Sequence, residues 1–267
     1  MKIRNYVRAQ SLEEAWDLLQ QNRRNRIVGG MLWLKMVDVP VPAAIDLCDL
    51  GLDTIKERAD GFSIGAMTTL RQLELHPGLN AYTHGAAAKA VGDIVGVQFR
   101  NLATVGGSVY GRFGFSDVLT VLLALDTQVE LYREGLIPLE KFAVRTEKER
   151  DILVRLHIKK RPGAFAYTAM RNTRTDFPVL TAAASRMEGE YRVVLGARPG
   201  RAMVLRDDRG LLTAGLTAQT AAAFAADAAA RTPTGSNVRA SAAYRTHLVR
   251  VLTQRVLLEL GGMQDGN

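Results

Sequence analysis

Apolar and polar residues alternate along this chain with two different periods, and the switches between them outline its elements. From Ser11 to Gln20, Leu12, Ala15, Trp16 and Leu19 recur at three- and four-residue intervals, the stripe of a helix, with Ser11 and Glu14 spaced as an N-terminal capping pair. Arg26-Ile27-Val28 reads as a short strand ending in Gly29-Gly30, and Ala44-Ile45-Asp46-Leu47 as a second apolar stretch after a Pro-containing link. This rhythm predicts a small α/β unit at the N-terminus. Thr54 to Ile64 has the form of a hairpin closed at Asp60-Gly61. A short helix over Thr68–Leu75 stops at His76-Pro77-Gly78, and an Ala-rich helix follows over Leu79–Val91. Gly92 to Gly114 reads as glycine-rich and irregular, Ser116 to Leu125 as a helix, and Val129 with Leu131 as a strand.

Farther on, Ile152, Val154, Leu156 and Ile158 alternate with less apolar neighbours, as in a strand with one buried face. Arg161-Pro162-Gly163 marks a domain boundary. Three runs near Ala164–Met170, Val179–Met187 and Tyr191–Ala197 predict an antiparallel sheet. Two helices close the chain, the first over Ala218–Ala230, the second with Tyr244, Leu248, Val251, Leu252 and Leu258 on one face.

Composition narrows the chemistry. The chain has 267 residues and a single cysteine, Cys48, which excludes an internal disulfide and an iron–sulfur cluster held by this chain alone. Cys48 lies in an apolar strand and reads as a buried small hydrophobe. His76, His84, His157 and His247 are scattered, and no zinc-binding spacing occurs, so redox chemistry here requires an organic cofactor. The longest apolar run, Val118 to Leu125, is too short to span a bilayer. With an N-terminus unlike a signal peptide, the expected location is cytoplasmic. The net charge of +8 and pI near 9.8 raise nucleic-acid binding, but the basic residues are dispersed. Their short clusters, Arg23-Arg24-Asn25-Arg26 and Lys159-Lys160-Arg161, read as solvated surface or as a docking face for an acidic partner or anionic cofactor.

Two glycine pairs each follow an apolar approach: Ile27-Val28-Gly29-Gly30, and Thr104-Val105-Gly106-Gly107-Ser108. Without Cβ atoms, such turns let backbone N–H groups close around a phosphate, and two of them suit a diphosphate shared between subdomains. Taken alone, such pairs usually mark tight turns. Neither belongs to a dinucleotide-binding G-x-G-x-x-G or a Walker A pattern. Trp33, Phe113 and Phe115 read as packing residues or as aromatic neighbours of a cofactor ring. No catalytic triad or paired-carboxylate arrangement is evident, so no catalytic or metal-binding residue is assigned.

Residues 99–108, Phe-Arg-Asn-Leu-Ala-Thr-Val-Gly-Gly-Ser, resemble the "IRN-x-x-TIGGN" signature of the FAD-binding domain of molybdopterin dehydrogenases. Asp117 to Asp126 resembles that family's "D-x-x-x-ALLALDA" helix, and Val28-Gly29-Gly30 occupies the place of its "AGGT-x-L" loop. Tyr244-Arg245-Thr246-His247-Leu248 with Arg255 resembles its C-terminal "EYRRHL" helix. The resemblance spans nearly the whole chain. It implies an α+β fold: a two-subdomain FAD-binding domain of the vanillyl-alcohol-oxidase-like (PCMH) type, then a small α+β C-terminal domain of the CO dehydrogenase flavoprotein type. The expected bounds are 1–160 (subdomains about 1–53 and 54–160), 161–262, and a tail at 263–267, with FAD in the cleft where they meet.

The resemblance further implies FAD contacts from Val28, Gly29, Gly30, Met31, Leu32, Thr104, Gly106, Gly107, Ser108, Tyr110, Gly111 and Asp117. For Asp117 the alternative is a helix-start carboxylate favoured by the dipole. The implied role is electron transfer in a xanthine dehydrogenase-like oxidoreductase, from an iron–sulfur subunit through FAD to NAD or another acceptor, beside a molybdopterin-binding large subunit. Neither nucleic acid binding nor membrane insertion is expected. The sequence departs from the family at Met31, where a Thr is usual, at Ser108 in place of Asn, and at Gly111–Ser116 in place of an "NASPAG" run. Arg112 reads as a compensating phosphate partner or as an exposed loop arginine. Two other roles stay open: a scaffold or assembly subunit of the same fold that has lost flavin, and a self-sufficient flavin enzyme.

Overall fold

The computed structural model describes residues 2–146 and 150–263, so residues 264–267 of the expected tail lie outside the described residues. In chain order the first elements are β1 (Lys2–Arg8), α1 (Leu12–Gln21), β2 (Arg26–Val28), β3 (Pro40–Asp46), β4 (Ile55–Arg58) and β5 (Gly61–Gly65). Next come α2 (Leu70–Leu75), α3 (Pro77–Tyr82), α4 (Ala86–Gly92), α5 (Val97–Leu102), α6 (Val105–Tyr110) and α7 (Asp117–Ala124). Then follow β6 (Thr127–Leu131), β7 (Gly135–Pro138), α8 (Leu139–Ala143) and β8 (Leu153–Lys159). The chain closes with β9 (Gly163–Arg171), β10 (Pro178–Met187), β11 (Glu190–Gly196), β12 (Met203–Arg206), α9 (Ala218–Arg231) and α10 (Ala242–Gly261). No described helix is long and apolar enough to cross a membrane.

The chain forms two compact units, one from residues 1–73, 96–111 and 127–158, the other from 74–95, 112–126 and 159–267. The first unit begins with a parallel sheet in the order β1-β3-β2. Ser11 caps α1 by accepting from the Glu14 N–H at 3.0 Å, while Glu14 reaches back to the Gln10 N–H at 2.7 Å. Ala15 and Leu19 bury the apolar stripe against Ile45 and Leu47. Asn25, itself buried, ties α1 to β3: its amide donates to Leu18 O at 2.6 Å and accepts from the Ala43 N–H at 3.1 Å. The same unit holds a five-stranded sheet in the order β4-β5-β8-β6-β7. Ile152, Val154, Leu156 and Ile158 are all buried, as their alternation predicts.

The second unit is built on an antiparallel sheet, β12-β11-β10-β9. Ala164, Ala166, Ala182 and Ala184 pack with Phe224, Leu248, Leu252 and Leu257 of α9 and α10. Residues of opposite parity turn to the other face, where Thr181 bonds Thr120 of α7 at 3.0 Å and Phe165 packs on Tyr82 at 5.0 Å. A sheet covered on both faces needs small apolar residues at nearly every position, which accounts for the Ala-rich, almost continuously buried β10.

Several expectations are corrected. The 79–91 helix is two helices, because Thr83-His84-Gly85 breaks it: His84 and Gly85 adopt φ 51 and 78, and Pro77 starts α3 behind the His76 cap. The segment 92–114 is largely helical, and of its glycines Gly106 and Gly114 serve close approach, to the Ala66 and Gly200 carbonyls respectively. The hairpin turns at Ala59-Asp60, and Gly61 already pairs with Arg58. Cys48 is exposed, sitting in a 3-10 turn past the strand end. On α10 the buried stripe runs through Arg245, Leu248, Val249, Leu252, Val256 and Leu260, while Tyr244 and Leu258 face solvent. The unanticipated strands β1, β7 and β12 are short or mostly exposed, so they carry weak apolar alternation.

Candidate functional site

In the first unit β2 runs parallel to β3 and opens at its C-terminal end into Gly29-Gly30-Met31-Leu32. Neither glycine has room for a side chain. A Cβ on Gly29 would stand 2.5 Å from Thr104 Oγ1, and one on Gly30 only 1.9 Å from the Leu102 carbonyl oxygen. The loop is therefore pressed against the turn entering α6, which brings together two segments far apart in sequence. Met31 follows in left-handed backbone with φ 55, a conformation that costs an L-residue about 1–2 kcal/mol. Among the described residues, the N–H groups of Gly29, Gly30, Met31 and Leu32 donate to no protein acceptor, although all four residues are half-buried. Consecutive unpaired N–H groups beside a left-handed residue form a concave nest for an anion. Half-buried donors left unmet in the protein also favour a ligand that meets them.

The second glycine pair is wired differently. Thr104 caps α6, its Oγ1 accepting from the Gly107 N–H at 3.2 Å. The Val105 N–H donates to Thr68 O at 2.8 Å and the Gly106 N–H to Ala66 O at 2.9 Å. A Cβ on Gly106 would meet that same Ala66 oxygen at 2.6 Å. The Ser108 hydroxyl and N–H both donate to Thr104 O, at 2.9 and 3.1 Å. The backbone donors of this turn are thus engaged within the protein, and what it presents outward is Gly107, which is exposed. Tyr110 packs on Phe142 with ring centroids 5.9 Å apart, and Gly111 ends the helix with its N–H on Gly107 O at 3.3 Å. Trp33 is half in solvent, edge-on to Phe99 at 6.2 Å.

Asp117 belongs to the second unit, at the start of α7 behind the Ser116 cap. It is buried, its Oδ1 accepting from Tyr167 Oη and from Arg171 Nη2, the latter at 2.7 Å. Burial pushes the Asp117 carboxyl above the usual range, opposed by Arg171 and by the Tyr167 hydrogen bond. Burial also drives the Tyr167 hydroxyl well up, with Asp117 adding to the effect. Asp117 therefore ties α7 to β9. Nothing in the sequence marked Tyr167 or Arg171, since their link to Asp117 arises from sheet packing. Arg112 is half-buried with φ 48. Phe113 and Phe115 stack on each other at 5.1 Å rather than standing apart.

The second unit also holds a cavity of about 370 Å³ lined by Phe115, Phe177, Asn237 and Arg239, among others. Phe115, offered by the sequence as a packing residue or a cofactor-ring neighbour, lines it, whereas neither glycine pair nor Asp117 does. Arg245, at 1% exposure, braces its rim by donating to Val179 O, Gly235 O, Ala240 O and Asn237 Oδ1 at 2.7 to 2.9 Å.

Known proteins resemble this chain along nearly its whole length. The family profile "FAD binding domain in molybdopterin dehydrogenase" matches residues 1–159, and "CO dehydrogenase flavoprotein C-terminal domain" matches residues 165–260. The chain is 27% identical to a putative xanthine dehydrogenase FAD-binding subunit of Escherichia coli, covering 96% of this chain and 95% of that one. It is 26% identical to the nicotine 6-hydroxylase medium subunit of Paenarthrobacter nicotinovorans, over 96% of each. In fold it is similar to a chain of quinoline 2-oxidoreductase from Pseudomonas putida 86, with TM-score 0.85, 23% identity and 96% of each chain covered. A chain of carbon monoxide dehydrogenase from Hydrogenophaga pseudoflava gives TM-score 0.85 at 22% identity, covering 98% of this chain and 97% of that one. The chain belongs to the molybdopterin dehydrogenase FAD-binding family, and pairs that FAD-binding domain with the CO dehydrogenase flavoprotein C-terminal domain of an oxidoreductase subunit.

Proposed function

We propose that this chain is the FAD-holding electron-transfer subunit of a molybdenum hydroxylase-type oxidoreductase. It stands between the iron–sulfur clusters of one partner subunit and NAD or another acceptor, beside a molybdopterin-binding large subunit, in the cytoplasm. The observation that carries this reading is the row of unpaired N–H donors at Gly29–Leu32, held against Thr104 by glycines that admit no side chain. Those four donors suit the oxygens of a diphosphate, and their half-buried setting strengthens each hydrogen bond over one made in water.

The other residues of the site divide the remaining work. Val28 anchors the loop to the parallel sheet, and Thr104 with Gly106 fixes the turn against which it rests. Gly107, Ser108, Tyr110 and Gly111 continue the surface of the first unit beyond the diphosphate. Asp117, bound to Tyr167 and Arg171, fixes the start of α7 within the second unit. FAD, when bound, supplies a carrier that takes up and releases two electrons singly or together. The protein contributes binding, orientation and electrostatics, so no proton-transfer side chain is required.

The test is the flavin content of the chain purified gently with its partner subunits. Bound flavin visible by absorption, stoichiometric with the chain, is the expected result. A folded chain that stays colourless in excess FAD would overturn this reading and leave the scaffold role. Reduction of bound flavin by the complex's substrate, followed by reoxidation with NAD, then tests the order of transfer.

A further inference from the structure

The arginine cluster noted in the sequence has a structural counterpart that the flavin site does not use. Arg23 and Arg24 occupy the exposed turn before β2, and Arg26 opens that strand, also exposed. Arg26 Nη1 donates to Arg23 O at 2.7 Å and to Asn25 O at 2.9 Å. Arg150, from the far end of the same unit's sequence, donates Nη2 to that same Asn25 oxygen at 3.1 Å. Gln20 holds the Arg150 backbone through its carbonyl at 3.0 Å. Two guanidinium groups therefore converge on one carbonyl, mounted on the buried Asn25 that already clamps α1 to β3.

Such an arrangement opposes like charges. The Arg150 guanidinium is held below its ordinary value by burial first, then by Arg26, with Arg23 adding and Tyr110 opposing. Among the described residues no carboxylate forms an ion pair with any of the four arginines. Other arginines of the chain are ion-paired, Arg161 with Asp126 and Glu188 and Arg239 with Asp176 among them. Four positive charges around one turn and strand start, two of them held by hydrogen bonds to a single carbonyl, suit carboxylates from outside.

We propose that Arg23, Arg24, Arg26 and Arg150 form a docking face for a carboxylate-rich surface of a partner subunit. Three of the four are exposed and spread over a turn and a strand start, which fits a protein face meeting them separately better than one small anion. The inference rests on the multi-subunit reading above, and its test separates the two.

The chain is co-expressed with the iron–sulfur and molybdopterin-binding chains, and association is followed by size-exclusion chromatography and by titration of the separated subunits at low and high salt. Wild-type association that weakens as salt rises is expected. Arg23→Glu with Arg24→Glu should weaken it about tenfold at low salt, with flavin content and melting temperature unchanged. Arg150→Gln, which keeps a hydrogen-bonding amide, should weaken it less. Unchanged association in the charge-reversed chain, or loss of flavin with it, overturns the docking face. Stabilisation of the isolated chain by millimolar inorganic phosphate, with partner binding unaffected by the variants, assigns a small-anion site and also overturns it. If wild-type chain carries flavin yet binds neither partner, the multi-subunit reading fails and takes this inference with it. A complex that forms without flavin, and loosens on charge reversal, sinks the flavin reading alone.

Discussion

The loop at Gly29–Leu32 and the turn at Thr104–Gly107 each present a glycine pair after an apolar approach, yet their backbone donors end in different places. At the first, four consecutive N–H groups meet no acceptor among the described residues. At the second, the donors of Val105, Gly106 and Gly107 go to Thr68, Ala66 and Thr104. Each region has a glycine that close packing requires, since a Cβ on Gly30 would strike the Leu102 carbonyl and one on Gly106 the Ala66 carbonyl. Only in the first region does that packing leave donors to spare. A glycine pair thus signals close approach in general, and the fate of its N–H groups decides whether the approach serves a ligand or the fold.

The largest effect that sharpens this contrast is expected from Gly30→Ala. Its methyl group has no space at 1.9 Å from Leu102 O, so the loop must leave the turn. Flavin should be lost almost completely, and chemical denaturation should show a loss of more than about 3 kcal/mol, in the range of severe core strain. Next comes Thr104→Ala, which removes the cap on Gly107 and the hydroxyl facing Gly29. A loss of about 1–2 kcal/mol in the same assay is expected, with flavin bound more weakly but not abolished.

Met31→Gly acts in the opposite direction. Glycine accepts φ 55 without strain, so stability should rise by up to about 1 kcal/mol, offset by glycine's greater unfolded-state entropy, while the N–H cradle and its flavin are kept. Loss of flavin in this variant would mean that the Met31 side chain, not the backbone, holds the cofactor. Gly107→Ala should do least. Its Cβ would come within 3.1 Å of Thr104 Oγ1, a contact relieved by a small shift, and alanine favours the helix. A change within about 0.5 kcal/mol and full flavin occupancy are expected. If Gly107→Ala empties the site as thoroughly as Gly30→Ala, the two regions are equivalent and the comparison breaks.

Much of the fold was legible from local pattern. The α1 stripe with its Ser11 cap, the alternation through Ile152–Ile158 and the three runs of the second unit's sheet all match the structure, since each is set by neighbours in sequence. Where the reading failed, the cause was in one place local and in another distant. Thr83-His84-Gly85 breaks the expected helix by its own left-handed backbone. Within 92–114, Gly106 sits in a short helix pressed against Ala66, a residue far from it in sequence. Within the candidate site, the identity of the glycines and of Asp117 was legible, but Tyr167 and Arg171, which engage Asp117, were not.

By itself, the sequence determined where the strongly patterned helices and strands lie, that a lone cysteine excludes an internal disulfide, and which family's motifs it carries. Tertiary structure alone decided that Gly29 meets Thr104, that among the described residues one set of N–H donors meets no acceptor while the other is spent, and that Arg26 and Arg150 converge on one carbonyl. The physical reason is one of range. Propensity and periodicity act over a few residues, whereas the satisfaction of a backbone donor or a guanidinium depends on whatever distant segment the packed chain brings beside it.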